Sequence, residues 1–182
     1  QLFEHWTSEP EVLRRHARHV QTNEPIPDAL IERLKRARRF GQAFETVRYT
    51  ASALTDMAVH ALPQGRVPAD VVAFEAQVLR ERGLPAGVGV NHRFTHFQHL
   101  FAGSGYAAGY YVYLWAEVLD ADAYDAFVEA GDPFDSGVAS RLKRHIYSAG
   151  DSVEPAATYL AFRGRAAQLE PMLKRRGLLE PA

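Results

Sequence analysis

Apolar side chains recur at helical intervals along almost the whole chain. Ala29, Leu30, Leu34, Ala37 and Phe40 form one stripe, and Phe44, Val47, Leu54, Met57, Ala58 and Ala61 continue it. Spacings of three and four residues are those of one helix face. The pattern predicts a long helical stretch from Pro27-Asp28 to about Leu62, bent near Gly41. An earlier helix opens at Ser8-Glu9-Pro10-Glu11, where Ser8 suits the cap, Pro10 the first turn and the acids the positive end. Val12, Leu13, His16 and Val20 share its face, and Asn23-Glu24-Pro25 ends it. The clearest loop is PQGRVP at residues 63–68, after which Pro68-Ala69-Asp70 opens a helix to about Arg82, stopped by Gly83.

Residues 84–91 are short and glycine-rich, as in an extended connector. A histidine-rich segment follows from His92, then a glycine loop at Gly103-Ser104-Gly105 and an aromatic helix over residues 106–118. Asp120 or Asp122 is placed to cap a further helix through Val128, with others over about 136–149, 155–163 and 166–176, the last ended by Gly177. No sustained strand pattern, repeat or low-complexity tract is present. The expectation is an all-α fold of about eight helices, one domain over residues 1–182 with no linker.

Composition agrees with a folded domain. The 182 residues are 47% hydrophobic and 24% charged, with mean hydropathy −0.26. No apolar run approaches the roughly 20 residues of a bilayer span, and the first ten residues lack the apolar core of a signal peptide. A formal net charge of −1 provides no bulk attraction to nucleic acid or anionic lipid, so neither is expected as a partner. The basic run RLKRARR at residues 33–39 is broken by Leu34 and Ala37 and reads as a solvated helix face. The absence of cysteine excludes disulfides and thiolate metal sites.

The stretch with chemical content is residues 91–118. His92, His96 and His99 recur at i, i+4 and i+7, which on a helix places three imidazoles on one side. After Gly103-Ser104-Gly105, Tyr106, Tyr110 and Tyr113 recur at the same intervals. A glycine-flanked loop lets backbone approach a ligand and move. Phenols and an imidazole beside it are neutral donors suited to a peptide carbonyl and to the oxyanion it becomes. On spacing alone, a packed helix with core aromatics is the better explanation, since aromatic stripes at helical intervals are usually core. Arg93 stands where an HxxxH metal pair of the hydrolytic kind needs a glutamate, and His16 and His19 have no carboxylate suitably near. Both sets read as unliganded. Arg163 and Arg165 read as structural cations or as groups orienting a substrate carboxylate, and Trp6 and Trp115 as core. No role is identified for Arg48-Tyr49, His60 or His145.

The run His99-Leu100-Phe101, with Tyr106-Ala107-Ala108-Gly109-Tyr110-Tyr111-Val112-Tyr113-Leu114-Trp115-Ala116-Glu117-Val118, resembles the signature that follows the zinc site in one metallopeptidase family. Its members are the thimet oligopeptidases, neurolysins and bacterial peptidyl-dipeptidases (dipeptidyl carboxypeptidases). Glu4-His5-Trp6, Ile26-Pro27-Asp28, Leu54-Thr55-Asp56-Met57, Gly150-Asp151-Ser152, Phe162-Arg163-Gly164-Arg165 and Arg176-Gly177-Leu178 extend the likeness over essentially the whole chain.

The resemblance implies the helical C-terminal part of a neurolysin-like catalytic domain. In that family an HExxH helix and a later glutamate hold zinc. None of the eight histidines here begins HExxH, and the alignment of Glu4-His5-Trp6 puts the last ligand just before Gln1. Zinc is therefore expected in the full-length parent and none on this chain, which reads as a cloned or proteolysed fragment. By resemblance His99 and Tyr113 are the catalytic donors to the scissile carbonyl. Tyr106 and Tyr110 contact the peptide, and Gly103, Ser104 and Gly105 form the mobile loop beside it. The spacer of six residues between His99 and Tyr106 makes the placement of His99 the less firmly matched. Expected partners are short peptides, the missing N-terminal portion and further copies of the chain, in the cytoplasm. The alternative from another class is a non-catalytic helical peptide- or protein-binding domain derived from the same family.

Overall fold

A computed structural model describes residues 1–64 and 66–179. The described residues are all-α, with one isolated antiparallel bridge between Arg18 and Pro25. They fall into two compact units, Gly41–Trp115 and the remainder.

In the unit without the aromatic segment, two 3-10 turns (Leu2–Glu4 and Trp6–Ser8) precede α1, Pro10–His16. Pro10 lies in the first turn as its fixed φ favours, but Ser8 does not cap the helix. Glu9 holds the cap position and the Ser8 hydroxyl is buried without a hydrogen-bond partner. The helix stops at His16, leaving Val20 exposed. Helix α2, Asp28–Arg39, buries Ile31 instead of the expected Leu30–Leu34 stripe.

The heart of this unit is Tyr124, Phe127, Val138, Leu142 and Phe162, against which Leu2, Trp6, Ile146 and Tyr159 pack. Trp6 meets Tyr124 and Phe127 edge-on and donates to the Pro133 carbonyl at 2.7 Å. Helices α7 (Ser136–Leu142), α8 (Pro155–Arg163) and α9 (Glu170–Arg176) complete it, with a π-helical turn at Lys143–Tyr147 after α7.

The other unit contains α3 (Gln42–His60), α4 (Val71–Glu81), a 3-10 turn at Phe94–His96 and α5 (Gln98–Phe101). Gly41 at φ 73° separates α2 from α3 at the predicted bend, in a conformation glycine adopts without a Cβ penalty. Asp70 caps α4, accepting from Val72 N at 3.0 Å and Ala73 N at 2.9 Å. On α3 the expected stripe is not the buried face: Phe44, Val47 and Met57 are exposed, and Ala51, Ser52, Ala53, Thr55 and Asp56 are buried. Ser52 and Thr55 satisfy their hydroxyls on the carbonyls of Arg48 and Ala51 one turn back.

One boundary differs most from expectation. Helix α6 runs without interruption over Val112–Ala130. It begins six residues later than the aromatic spacing suggests, and Asp120 and Asp122 lie inside it instead of capping a new helix. Both are held by partners distant in sequence. Asp120 meets the His5 ring at 2.9 Å, and Asp122 is fully buried with Tyr159, Arg163 and Arg165 on its carboxylate.

Candidate active site

The His-rich segment does not form one helix. His92 lies in a bend, His96 ends the 3-10 turn and His99 lies on α5, with Phe97 (φ −85°, ψ 68°) breaking the path between. Their rings face different neighbours: His92 packs on Phe97, His96 meets the Thr95 hydroxyl, and His99 packs against Tyr106. The segment is anchored by Glu75 of α4, a residue the sequence reading overlooked. Glu75 is 3% exposed, accepts the Phe94 amide at 2.8 Å and pairs with Arg93 at 3.1 Å. Arg93 therefore has a structural partner in place of a catalytic one. Among the described residues no three of His, Asp and Glu converge to hold a metal. The donors among the described residues do not by themselves make the zinc site that the resemblance implies for the parent.

Residues 106–111 are turns, not helix, yet they bring the expected phenols together. The Tyr113 hydroxyl donates to the Tyr106 hydroxyl at 2.9 Å, and the two rings stack with centroids 5.9 Å apart, 9° from parallel. His99 meets Tyr106 edge-on at 5.2 Å. Tyr110 packs on Tyr113 at 5.5 Å and edge-on to Phe97 at 4.8 Å. Phe94, Phe97 and Leu100 form the buried floor, with Val59, Phe74, Tyr106 and Tyr110 packed against it.

Beside this cluster lies an open hollow of about 430 Å³, lined by Gln98, His99, Ala102, Gly103, Gly105 and Tyr106. Ser104 is on the same loop but does not line the hollow. A Cβ added at Gly103 or Gly105 would meet no heavy atom within 4 Å, so both positions face open space.

The electrostatics favour neutral donors. The hydrogen bond to Tyr106, followed by desolvation, pushes the Tyr113 phenol up to about 12. Burial raises Tyr110. Both hydroxyls therefore keep their protons across the physiological range and serve as donors, not as bases. Removing the acceptor in Tyr106→Phe is expected to bring Tyr113 back toward the ordinary phenol value near 10. NMR titration of tyrosine labelled at the hydroxyl-bearing carbon, with Tyr113→Phe for assignment, measures this; an unmoved Tyr113 midpoint contradicts it.

Arg163 is 5% exposed and forks onto Glu129 with two contacts of 2.6 Å, its Nε donating to the Asp122 carbonyl at 2.9 Å. Arg165 reaches Asp122 at 2.7 Å. Both are structural cations. Trp115, expected in the core, is 61% exposed.

The sequence matches the model of Peptidase family M3 over residues 1–178. The chain belongs to peptidase family M3. Dipeptidyl carboxypeptidases of Salmonella typhimurium LT2 and Escherichia coli K12 are each 39% identical to it, over 98% of this chain and 26% of theirs. Oligopeptidase A of Escherichia coli K12 is 36% identical over the same shares, 98% and 26%. This M3 chain thus spans about a quarter of the length of the curated relatives it matches. No helix among its described residues is long and apolar enough to cross a membrane.

Proposed function

We propose that the complete protein is a zinc-dependent oligopeptidase or peptidyl-dipeptidase hydrolysing short peptides, and that this chain supplies the donors that grip the reacting carbonyl. The reading rests on one observation: the Tyr113–Tyr106 hydroxyl pair at 2.9 Å, with His99 against Tyr106 at the edge of the glycine-lined hollow. In the resting chain Tyr113 gives its proton to a neutral phenol oxygen. A ground-state peptide carbonyl is a better acceptor than that oxygen, but binding it costs Tyr113 its bond to Tyr106, so the net gain in the ground state is small. A tetrahedral oxyanion is far better still, so the interaction with Tyr113 strengthens as charge develops. Stabilisation gained mainly in the charged state lowers the barrier with little tightening of substrate binding. His99 donates to the same oxygen, Tyr106 and Tyr110 orient the peptide, and Gly103, Ser104 and Gly105 allow its backbone to approach.

In this reading zinc is held by residues outside this chain and supplies Lewis-acid chemistry there. The chain alone is then inactive. Self-association of the chain, or its covering by the N-terminal portion when that is present, belongs to the same reading; large apolar side chains such as Phe3, Val20, Phe40, Val67 and Trp115 are exposed. A cytoplasmic location completes the reading; the relatives from Arabidopsis thaliana include both a probable cytosolic oligopeptidase A and an organellar one, 32% and 33% identical.

The test expresses residues 1–182 and the full reading frame side by side. The expected result is cleavage of an oligopeptide, with stoichiometric zinc, by the full-length protein and neither property in the chain alone. Hydrolysis by the isolated chain overturns the division of labour. A complete frame that neither cleaves nor binds zinc favours the binding-domain alternative.

A further inference from the structure

Helix α3 carries three polar side chains that no part of the carbonyl-gripping reading uses: Asp56 and Tyr49 reach the turn at residues 106–111, and His60 backs Asp56. Asp56 is fully buried. Its Oδ1 accepts the Ala108 amide at 3.0 Å and its Oδ2 the Tyr110 amide at 2.9 Å, from residues 52 and 54 positions further along the chain. His60, one turn along α3, places Nδ1 at 2.7 Å from Asp56 Oδ1. A carboxylate only accepts, so Nδ1 carries the proton. The His60 ring stacks on Phe101. From the other end of α3, the Tyr49 hydroxyl donates to the Tyr110 carbonyl and accepts the Leu114 amide at 3.3 Å, and its ring stacks on Tyr110 at 5.2 Å.

This anchorage explains the departure from the helix that the aromatic spacing suggests. Ala108 sits at φ 57°, a left-handed conformation that a residue with a Cβ rarely adopts. A regular helix would direct the Ala108 and Tyr110 amides to carbonyls one turn back. Here both point instead at one buried carboxylate. The result swings Tyr106 back over Tyr113, so that two hydroxyls seven residues apart meet at 2.9 Å.

We propose that Asp56 and His60, seconded by Tyr49, are positioning residues of the site: they fix the 106–111 turn so that the Tyr106 and Tyr113 hydroxyls meet and the Tyr110 ring packs beside them. The proposal rests on the carbonyl-binding role of Tyr113 given above. A carboxylate suits the task because its two oxygens accept two amides and an imidazole at once, and charge-assisted bonds hold geometry more tightly than neutral ones. Displacement of a donor by a fraction of an ångström then costs turnover more than it costs ground-state binding, because stabilisation of the oxyanion depends more steeply on donor geometry.

The experiment uses the full-length protein with Asp56→Asn, His60→Ala, Tyr113→Phe and the Asp56→Asn/Tyr113→Phe double variant. Asp56→Asn should lower kcat at least about tenfold with KM within about threefold, and His60→Ala several-fold in the same sense. The double variant should be no more than about threefold slower than Tyr113→Phe, because the anchor acts through the phenols. Hydrogen–deuterium exchange of the peptide spanning residues 106–111 should rise about tenfold or more in Asp56→Asn and leave other segments unchanged. Unaltered exchange, or full multiplication of the two single effects, overturns the proposal. If Asp56→Asn does not fold, the partly exposed His60 decides: wild-type kcat and exchange in His60→Ala overturn it. A wild-type rate in Tyr113→Phe sinks the carbonyl-binding role instead, and the exchange data still report whether Asp56 holds the turn.

Discussion

Tyr113→Phe in the full-length protein lowers kcat by about 10²–10³ and leaves KM within about threefold of the wild-type value. Phenylalanine keeps the ring that stacks on Tyr106 at 5.9 Å and packs on Tyr110 at 5.5 Å. Only the hydroxyl is lost, so the change tests a hydrogen bond and not a cavity. The resting partner of that hydroxyl is the Tyr106 oxygen. Binding a substrate carbonyl costs Tyr113 its bond to Tyr106, so the net gain is largest once that carbonyl becomes an oxyanion and the loss falls mainly on turnover. Steady-state kinetics on an internally quenched oligopeptide checks this. A proportional rise in KM with unchanged kcat would mean that Tyr113 binds substrate and transition state alike.

Arg163→Met destabilises the protein by about 3 kcal/mol, read from urea unfolding. The Arg163 side chain is 5% exposed and that of Asp122 is fully buried. Methionine fills much of the space but strands the Asp122 carboxylate, leaving Arg165 at 2.7 Å and the Tyr159 hydroxyl at 2.6 Å as partners. Removing one member of a buried ion pair costs more than the pair contributes, because the remaining charge loses its solvation. The pH dependence has a definite sign. The hydrogen bond from Arg163 holds the Glu129 carboxyl below its ordinary value. Its stabilisation is present above the ordinary glutamate range and is lost as pH falls through the depressed native value. Glu129 is half exposed, so the contribution is small, and Arg163→Met should flatten the acid limb of the stability curve only slightly. A variant as stable as wild type contradicts the structural role and reopens a substrate-carboxylate role for Arg163.

Much of the helical order is legible from local pattern alone. The bend at Gly41, the cap at Asp70 and the stops at Gly83 and Gly177 need only the chemistry of one or two residues. What local pattern misjudges is decided by partners far along the chain. Asp120 and Asp122 look like caps because aspartate is a good cap, but His5, Tyr159 and the two arginines hold them inside α6. The α3 stripe was misjudged because Ser52, Thr55 and Asp56 are inward-facing polar residues, each satisfied by a carbonyl or amide. The phenols of Tyr106 and Tyr113 do converge, as both the spacing and the resemblance suggested, but through a turn instead of a helix face. Asp56 was visible as one letter of a matching motif, with nothing in its neighbourhood to reveal that its partners are the amides of residues 108 and 110.

The most direct test of the carbonyl-gripping role compares two ligands of the full-length protein. A phosphinic peptide places a tetrahedral, anionic oxygen where the reacting carbonyl would be, whereas the matching uncleavable ketomethylene peptide offers only a neutral carbonyl. In the His99→Ala and Tyr113→Phe variants, affinity for the phosphinic peptide should fall about 100-fold while affinity for the neutral one changes less than about threefold. Equal losses for the two ligands, or none for either, would contradict the assignment of these side chains to the developing oxyanion.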